Sequence, residues 1–185
     1  PLANYRATVD AFRLMGVGHG MGIAARHLTI STCGLPEGIV RLAGEGQQWQ
    51  LTVSLHAVRD ELRDRLMPIN RRYPLAALRE ACLEYSARTG RRITFAYVVI
   101  AGVNDGGADA SGLVSFCRGM LAHVNLIPWN PVPGVAFRPP SPAELERFRR
   151  RLTAAGLNAT VRRTRGAEFN AACGQLRAER LEGAT

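Results

Sequence analysis

Apolar and polar positions alternate in two periods along this chain. Residues 93–100 read Ile-Thr-Phe-Ala-Tyr-Val-Val-Ile, β-branched and aromatic, and predict a strand. Further strands are predicted at 27–32, 49–56, 123–129 and 159–164. Helical spacing of apolar residues recurs between them, at 4–15, after Pro36, at 60–65, 75–89 and 108–121. Ser141-Pro142-Ala143-Glu144 is a capping box with proline in the first turn, opening a helix that runs to Ala155 before Gly156. Asn4 is positioned to cap the first helix.

Strand-helix alternation with nearly continuous apolar strands predicts an α/β fold, a parallel sheet covered by helices. In such folds chemistry gathers beyond the carboxyl ends of the strands. The segments expected there are Ser31-Thr32-Cys33-Gly34, Ser54-Leu55-His56, Asn104-Asp105, Trp129-Asn130-Pro131 and the stretch from Arg162 to Cys173. Ser54 and His56, two apart on one strand, share a face. Asn130, between Trp129 and Pro131, offers amide donors and acceptors on a stiff backbone, suited to an adenine or a ribose. A strand-end histidine or a small hydroxyl before glycine also suits a plain hydrogen-bonded turn. Gly16-Val17-Gly18-His19-Gly20-Met21-Gly22 follows a helix and precedes a strand, the reverse of a dinucleotide fingerprint, and reads as a turn.

With 185 residues the chain is one domain long. No apolar run approaches the ~20 residues of a membrane helix, and no signal peptide opens it, so a cytoplasmic location is expected. The absence of an initiator methionine suggests a piece of a longer chain. The basic residues are all arginine, and 24 of them against 15 acidic residues give a net charge of +9. That surplus favours a polyanion such as RNA.

The four cysteines are widely separated, which argues against a disulfide framework or a self-contained metal site, so no metal ligand is assigned. Cys82 and Cys117 lie in apolar helical patterns and read as core residues, whereas Cys33 is ambiguous. Cys173 lies between small residues, Ala171-Ala172 and Gly174, after Arg162, Arg163 and Arg165. An open thiol beside guanidinium charge favours the thiolate, the nucleophilic form.

Taken together, Leu28-Thr29-Ile30-Ser31-Thr32, Val53-Ser54-Leu55-His56-Ala57, Met67-Pro68-Ile69-Asn70-Arg71, Val103-Asn104-Asp105, Asn125-Leu126-Ile127-Pro128-Trp129-Asn130-Pro131 and Ala171-Ala172-Cys173-Gly174-Gln175-Leu176 resemble the RlmN/Cfr family of radical S-adenosylmethionine (SAM) RNA methyltransferases. The resemblance covers residues 1–177, leaving 178–185 as a polar tail. It implies a partial (β/α)6 radical-SAM barrel, here missing its first two strands, in a protein that methylates C2 of adenine in 23S rRNA and tRNA. The alternatives are C8 methylation, as in the Cfr branch, and a basic RNA-binding piece without chemistry.

The resemblance assigns Cys173 as the catalytic methyl carrier, and Ser31, Ser54, Leu55, His56 and Asn130 as SAM-binding positions. SAM methylates the cysteine by displacement. A second SAM, cleaved at a [4Fe-4S] cluster, yields the radical that activates the S-methyl group. The cluster's CxxxCxxC ligands, the resolving cysteine and a Gly-Glu pair of the SAM site are implied upstream of Pro1. This chain alone is therefore expected to bind no cluster and to be inactive. An electron donor such as flavodoxin and a monomeric state complete the implied picture.

Overall fold

The computed structural model describes residues 1–16, 20–132 and 134–162. Five strands form one parallel sheet in sequential order: β1 (Thr29–Thr32), β2 (Gln50–Ser54), β3 (Ile93–Val99), β4 (Ala122–Pro128) and β5 (Ala159–Val161). The helices are α1 (Tyr5–Gly16), α2 (Pro36–Ala43), α3 (Asp60–Leu66), α4 (Leu75–Thr89), α5 (Gly107–Cys117) and α6 (Pro142–Ala154). Short 3₁₀ turns occupy Ala25–His27 and Pro68–Arg71.

Sequential order with crossovers of one hand puts the helices on one face of the sheet. Ile30, Leu51, Val53, Phe95, Tyr97, Val124 and Leu126 point to that face and form a continuous core with Ile39, Leu78, Leu113 and Phe148. Tyr97 stacks on Phe148 with centroids 5.8 Å apart, and Phe95 meets Phe116 edge-on at 5.5 Å. The opposite face carries Ser31, Thr52, Ser54, Thr94, His123, Asn125 and Thr160, exposed or half-buried. This polarity gives the sheet one dry, helix-covered side and one wet side, as expected for part of a barrel wall.

The expected elements are present, with shifted boundaries. The chain at 118–121 leaves the helical pattern because Arg118 is extended and Gly119 has φ +86°, so α5 ends at Cys117. The strand expected from residue 27 begins at Thr29, after the Ala25–His27 turn. The last strand is described only as far as Val161, and Arg162 continues it with one hydrogen bond to the Leu126 carbonyl. Within the glycine-rich turn, residues 17–19 lie outside the described residues, as does everything after Arg162.

The capping box at α6 is formed as the sequence predicts. The Ser141 hydroxyl accepts from the Glu144 N–H, and the Glu144 carboxylate accepts from the Ser141 N–H at 2.7 Å. Arg138 binds the same carboxylate at 2.7 Å, holding it well below the usual carboxylate range. Ser141→Ala should cost about 1 kcal/mol, read as a shift in the urea midpoint.

Candidate functional site

The parallel register aligns the carboxyl ends of all five strands at one rim. Ser54 pairs with Ala96, Ala96 with Asn125 and Asn125 with Thr160, a row across four strands of the inner face. Ser31 lies one step lower, opposite Thr52. His56 lies two residues past the end of β2, half-buried beside β3, where its ring meets the Val98 N–H, and Asn130 follows β4, half-buried. The inner wall thus brings Ser31 and Ser54 onto one surface, with His56 and Asn130 in the segments that follow β2 and β4 at the same end of the sheet. Leu55 faces the other way. Its side chain is fully buried in the core, its N–H donates to the Ala96 carbonyl, and its own carbonyl accepts from Arg63.

His56 has a left-handed backbone, φ +58°, in a residue other than glycine. That conformation costs on the order of 1 kcal/mol or more and persists where neighbours enforce it. Asn104 is one enforcer. It is fully buried, and its amide donates to the His56 carbonyl at 2.9 Å and to the Val98 carbonyl at 2.7 Å. Its Oδ1 accepts from the Ile100 N–H at 2.7 Å, and its own carbonyl accepts from the Tyr97 hydroxyl. The turn residue of Val103-Asn104-Asp105 is therefore a bolt between the ends of β2 and β3.

The imidazole is also fixed. Nδ1 accepts a hydrogen bond from the Val98 N–H at 3.1 Å. A backbone amide can only donate, so Nδ1 carries the lone pair and Nε2 the proton. Burial, reinforced by the Arg63 charge, lowers the His56 pKa to about 4. The ring is neutral at physiological pH and offers one N–H. An unfolded histidine titrates near 6.5, so as pH falls from there to about 4 the unfolded chain takes up a proton that the folded chain refuses. Stability should drop over this window with a slope approaching 1.4 kcal/mol per pH unit. Urea midpoints at pH 7 and 4.5 should diverge for the wild type, and less so for His56→Asn.

Arg63 escaped the sequence reading. It sits in the charged helix Asp60–Leu66, yet it is fully buried behind the rim. Its Nε donates to the Leu55 carbonyl, and Nη2 to the carbonyls of Cys33 (2.9 Å) and Ser54 (3.2 Å). Nη1 donates to Asn70 Oδ1 at 2.7 Å. Gly34 makes room beside it: φ is +97°, and an added Cβ would lie 2.9 Å from Leu78 Cδ1 and 3.4 Å from Arg63 Nη2. Gly34→Ala should therefore destabilise the chain by about 2 kcal/mol through clash and backbone strain, measurable by urea unfolding.

Two aromatic residues close the β4 end of the rim. Trp129 and Phe137 meet edge-on at 5.4 Å, and the buried Trp129 Nε1–H has no partner among the described residues. Cys82 and Cys117 are core residues, and burial pushes both thiols up to about 12. Cys33 is exposed at the end of β1. Cys173, with Arg163 and Arg165, lies outside the described residues. Among the described residues no three histidine, cysteine or carboxylate groups converge.

A one-sided parallel sheet with a polar rim is the architecture of the radical-SAM barrel. The chain superimposes on a radical SAM methyltransferase from Sphaerobacter thermophilus with a TM-score of 0.90 and 50% identity, over 95% of this chain and 51% of that one. A domain of a pyruvate-formate lyase-activating enzyme from Bacteroides vulgatus shares the fold, with a TM-score of 0.65 at 18% identity, over 88% of this chain and 94% of that one. No family model matches the chain.

Among curated proteins, the chain is 53% identical over 177 residues to a probable dual-specificity RNA methyltransferase RlmN of Moorella thermoacetica, covering 96% of this chain and 50% of that protein. It is 50% identical over 179 residues to RlmN of Anaeromyxobacter dehalogenans, covering 97% and 48%. This chain is a homologue of the RlmN-named radical SAM RNA methyltransferases along nearly its whole length. It spans about half the length of the curated relatives it matches.

Proposed function

We propose that the chain is the SAM-binding wall and methyl-carrier segment of an RNA adenine-C2 methyltransferase acting on 23S rRNA and tRNA. One observation carries the reading. At the carboxyl end of the sheet, Ser54 ends β2 and a His56 ring held neutral by burial, its Nδ1 engaged by the Val98 N–H, follows it, while Asn130 follows β4. These are the positions the motif resemblance assigns to SAM contact. Hydroxyl, imidazole and amide groups suit the ribose and adenine of SAM. A neutral His56 also matters for charge: an imidazolium there would repel the sulfonium of SAM, and burial prevents it.

The Leu55 side chain is buried in the core, so its part in binding is that of a spacer between Ser54 and His56. The outer edge of β1 and α1 border a groove of about 500 Å³ lined by Ala7, Thr8, Ala11, Phe12, Thr29 and Ser31. In the proposed barrel this groove and edge receive the two further strands. The cluster is held by residues other than those described, and bound there it supplies the reductive cleavage of SAM. The reading includes residues 1–177 as barrel and carrier segment, a cytoplasmic monomer, and a flavodoxin-type electron donor. Among the described residues no helix is long and apolar enough to cross a membrane.

The test uses the complete protein containing this chain, assembled anaerobically with its cluster and supplied with unmodified rRNA and tRNA. Mass mapping should find a methyl group on adenine C2. A methyl on C8 would assign the Cfr-type alternative, and no methyladenine from cluster-loaded protein would overturn the proposal. Ser54→Ala should raise the KM for SAM about tenfold with kcat little changed, as expected for loss of one binding hydrogen bond.

A further inference from the structure

Arg63 and Asn70 form a device that the binding role of Ser54 and His56 does not itself require. The Arg63 guanidinium is fully buried and makes no direct ion pair with a carboxylate among the described residues. Its charge is spread instead over the carbonyls of Cys33, Ser54 and Leu55 and the Asn70 amide oxygen. Asn70, also buried, turns its amide nitrogen to Asp60 Oδ1 at 2.8 Å and Asp64 Oδ1 at 2.7 Å. Asp60 Oδ1 further accepts from the Leu75 N–H at 2.9 Å, tying the network to the start of α4.

Cation, amide and two carboxylates thus form a relay in which each hydrogen bond is charge-assisted at one end. A planar fork with five donors holds carbonyls from two strand ends in one fixed plane, a geometry that the compact, freely rotating ammonium of lysine does not enforce. The grip on three backbone carbonyls at the rim serves geometry.

We propose that Arg63 and Asn70 are positioning residues that pre-organise the Ser54–Leu55–His56 segment for SAM. This rests on the assignment of that segment as a SAM contact. Arg63 fixes the peptide planes on either side of Leu55 from behind, and Asn104 fixes His56 from the β3 side. Between these two clamps the left-handed His56 has no freedom to relax. Asn70 sets the roll of the guanidinium, so its loss frees the fork while leaving the charge in place.

The test compares Arg63→Lys and Asn70→Ser with Ser86→Ala, a control remote from the rim whose hydroxyl accepts from the Leu121 N–H. All three are assayed in the complete protein that contains this chain, loaded with its cluster. Hydrogen exchange at the Leu55 and Val98 amides should quicken about tenfold or more in Arg63→Lys and Asn70→Ser, as follows from losing a hydrogen bond to a charged group. Amides of Val124 and Leu126 should keep their wild-type rates. In the complete protein the KM for SAM should rise about tenfold while kcat changes less, and Ser86→Ala should leave both unchanged.

Exchange rates at Leu55 and Val98 that match the wild type, in folded Arg63→Lys and Asn70→Ser, would overturn the positioning role whatever SAM does. A quickened exchange with an unchanged KM for SAM also overturns it, as pre-organisation for SAM. If wild-type protein with an intact cluster shows no SAM dependence, the assignment of the site falls instead. Should Arg63→Lys fail to fold, Asn70→Ser, which keeps the guanidinium, carries the same readouts.

Discussion

Asn104→Ala should destabilise the chain by about 3–6 kcal/mol, because it strips three hydrogen bonds from a fully buried junction and leaves their backbone partners without replacements. The Ile100 N–H and the His56 and Val98 carbonyls each lose a bond there. Orphaning a buried polar group costs about 1–3 kcal/mol. Against a total stability of about 5–15 kcal/mol for an ordinary domain, that is a large share. Asn104→Asp should be nearly as damaging, since a carboxylate cannot donate to two carbonyls. Asp105→Ala, one residue on, loses a single bond from the exposed Gly102 N–H and should cost under about 1 kcal/mol. Equilibrium urea unfolding of the three variants tests this ranking. A loss below about 1 kcal/mol for Asn104→Ala would show that the bolt is dispensable.

The same junction marks where the sequence was legible and where it was not. Period-two alternation in 49–56 reports a strand with one dry and one wet face, and the structure places Ser54 on the wet one. That much is local, because neighbouring residues on one strand fix each other's direction. Leu55 illustrates the limit of a motif. A triplet assigned as a unit is split by the pleat, with its central residue in the core.

Asn104 reads as a turn residue in Asn-Asp-Gly-Gly, because its true partners at His56 and Val98 lie across a strand pair that the local pattern cannot see. Arg63 was hidden more deeply. In Asp-Glu-Leu-Arg-Asp-Arg-Leu every charge reads as solvent-facing, and only the position of α3 behind the strand ends buries one of them. The one available signal was Asn70 within Met-Pro-Ile-Asn-Arg, a polar residue whose neighbours supply no reason for it until Arg63, Asp60 and Asp64 converge there. Motif and geometry inform each other: what the sequence marks as a signature, the structure resolves into a wall, a bolt and a brace.

Cys173→Ala, in the complete and cluster-loaded protein, should abolish RNA methylation while leaving SAM binding within about twofold. The amidine carbon C2 of adenine is electrophilic, so the electrophilic methyl of SAM cannot be delivered to it directly. In the proposed route a thiolate would take the methyl from one SAM, and hydrogen abstraction by a radical from a second SAM would turn it into a carbon radical able to add to the ring. Of the four cysteines, Cys82 and Cys117 are sealed in the core with thiols pushed up to about 12, where the thiolate is scarce at neutral pH. Cys33 is exposed, but its carbonyl is held in the Arg63 brace at the end of β1. Cys173 alone has small neighbours on both sides and an arginine run before it. Two readouts separate its role from that of the wall. Protein mass spectrometry should find a methylated cysteine in the wild type and none in Cys173→Ala, whereas Ser54→Ala should keep the methylated cysteine at a higher SAM requirement. Methylated RNA from Cys173→Ala would remove the carrier role and return Cys33 to consideration.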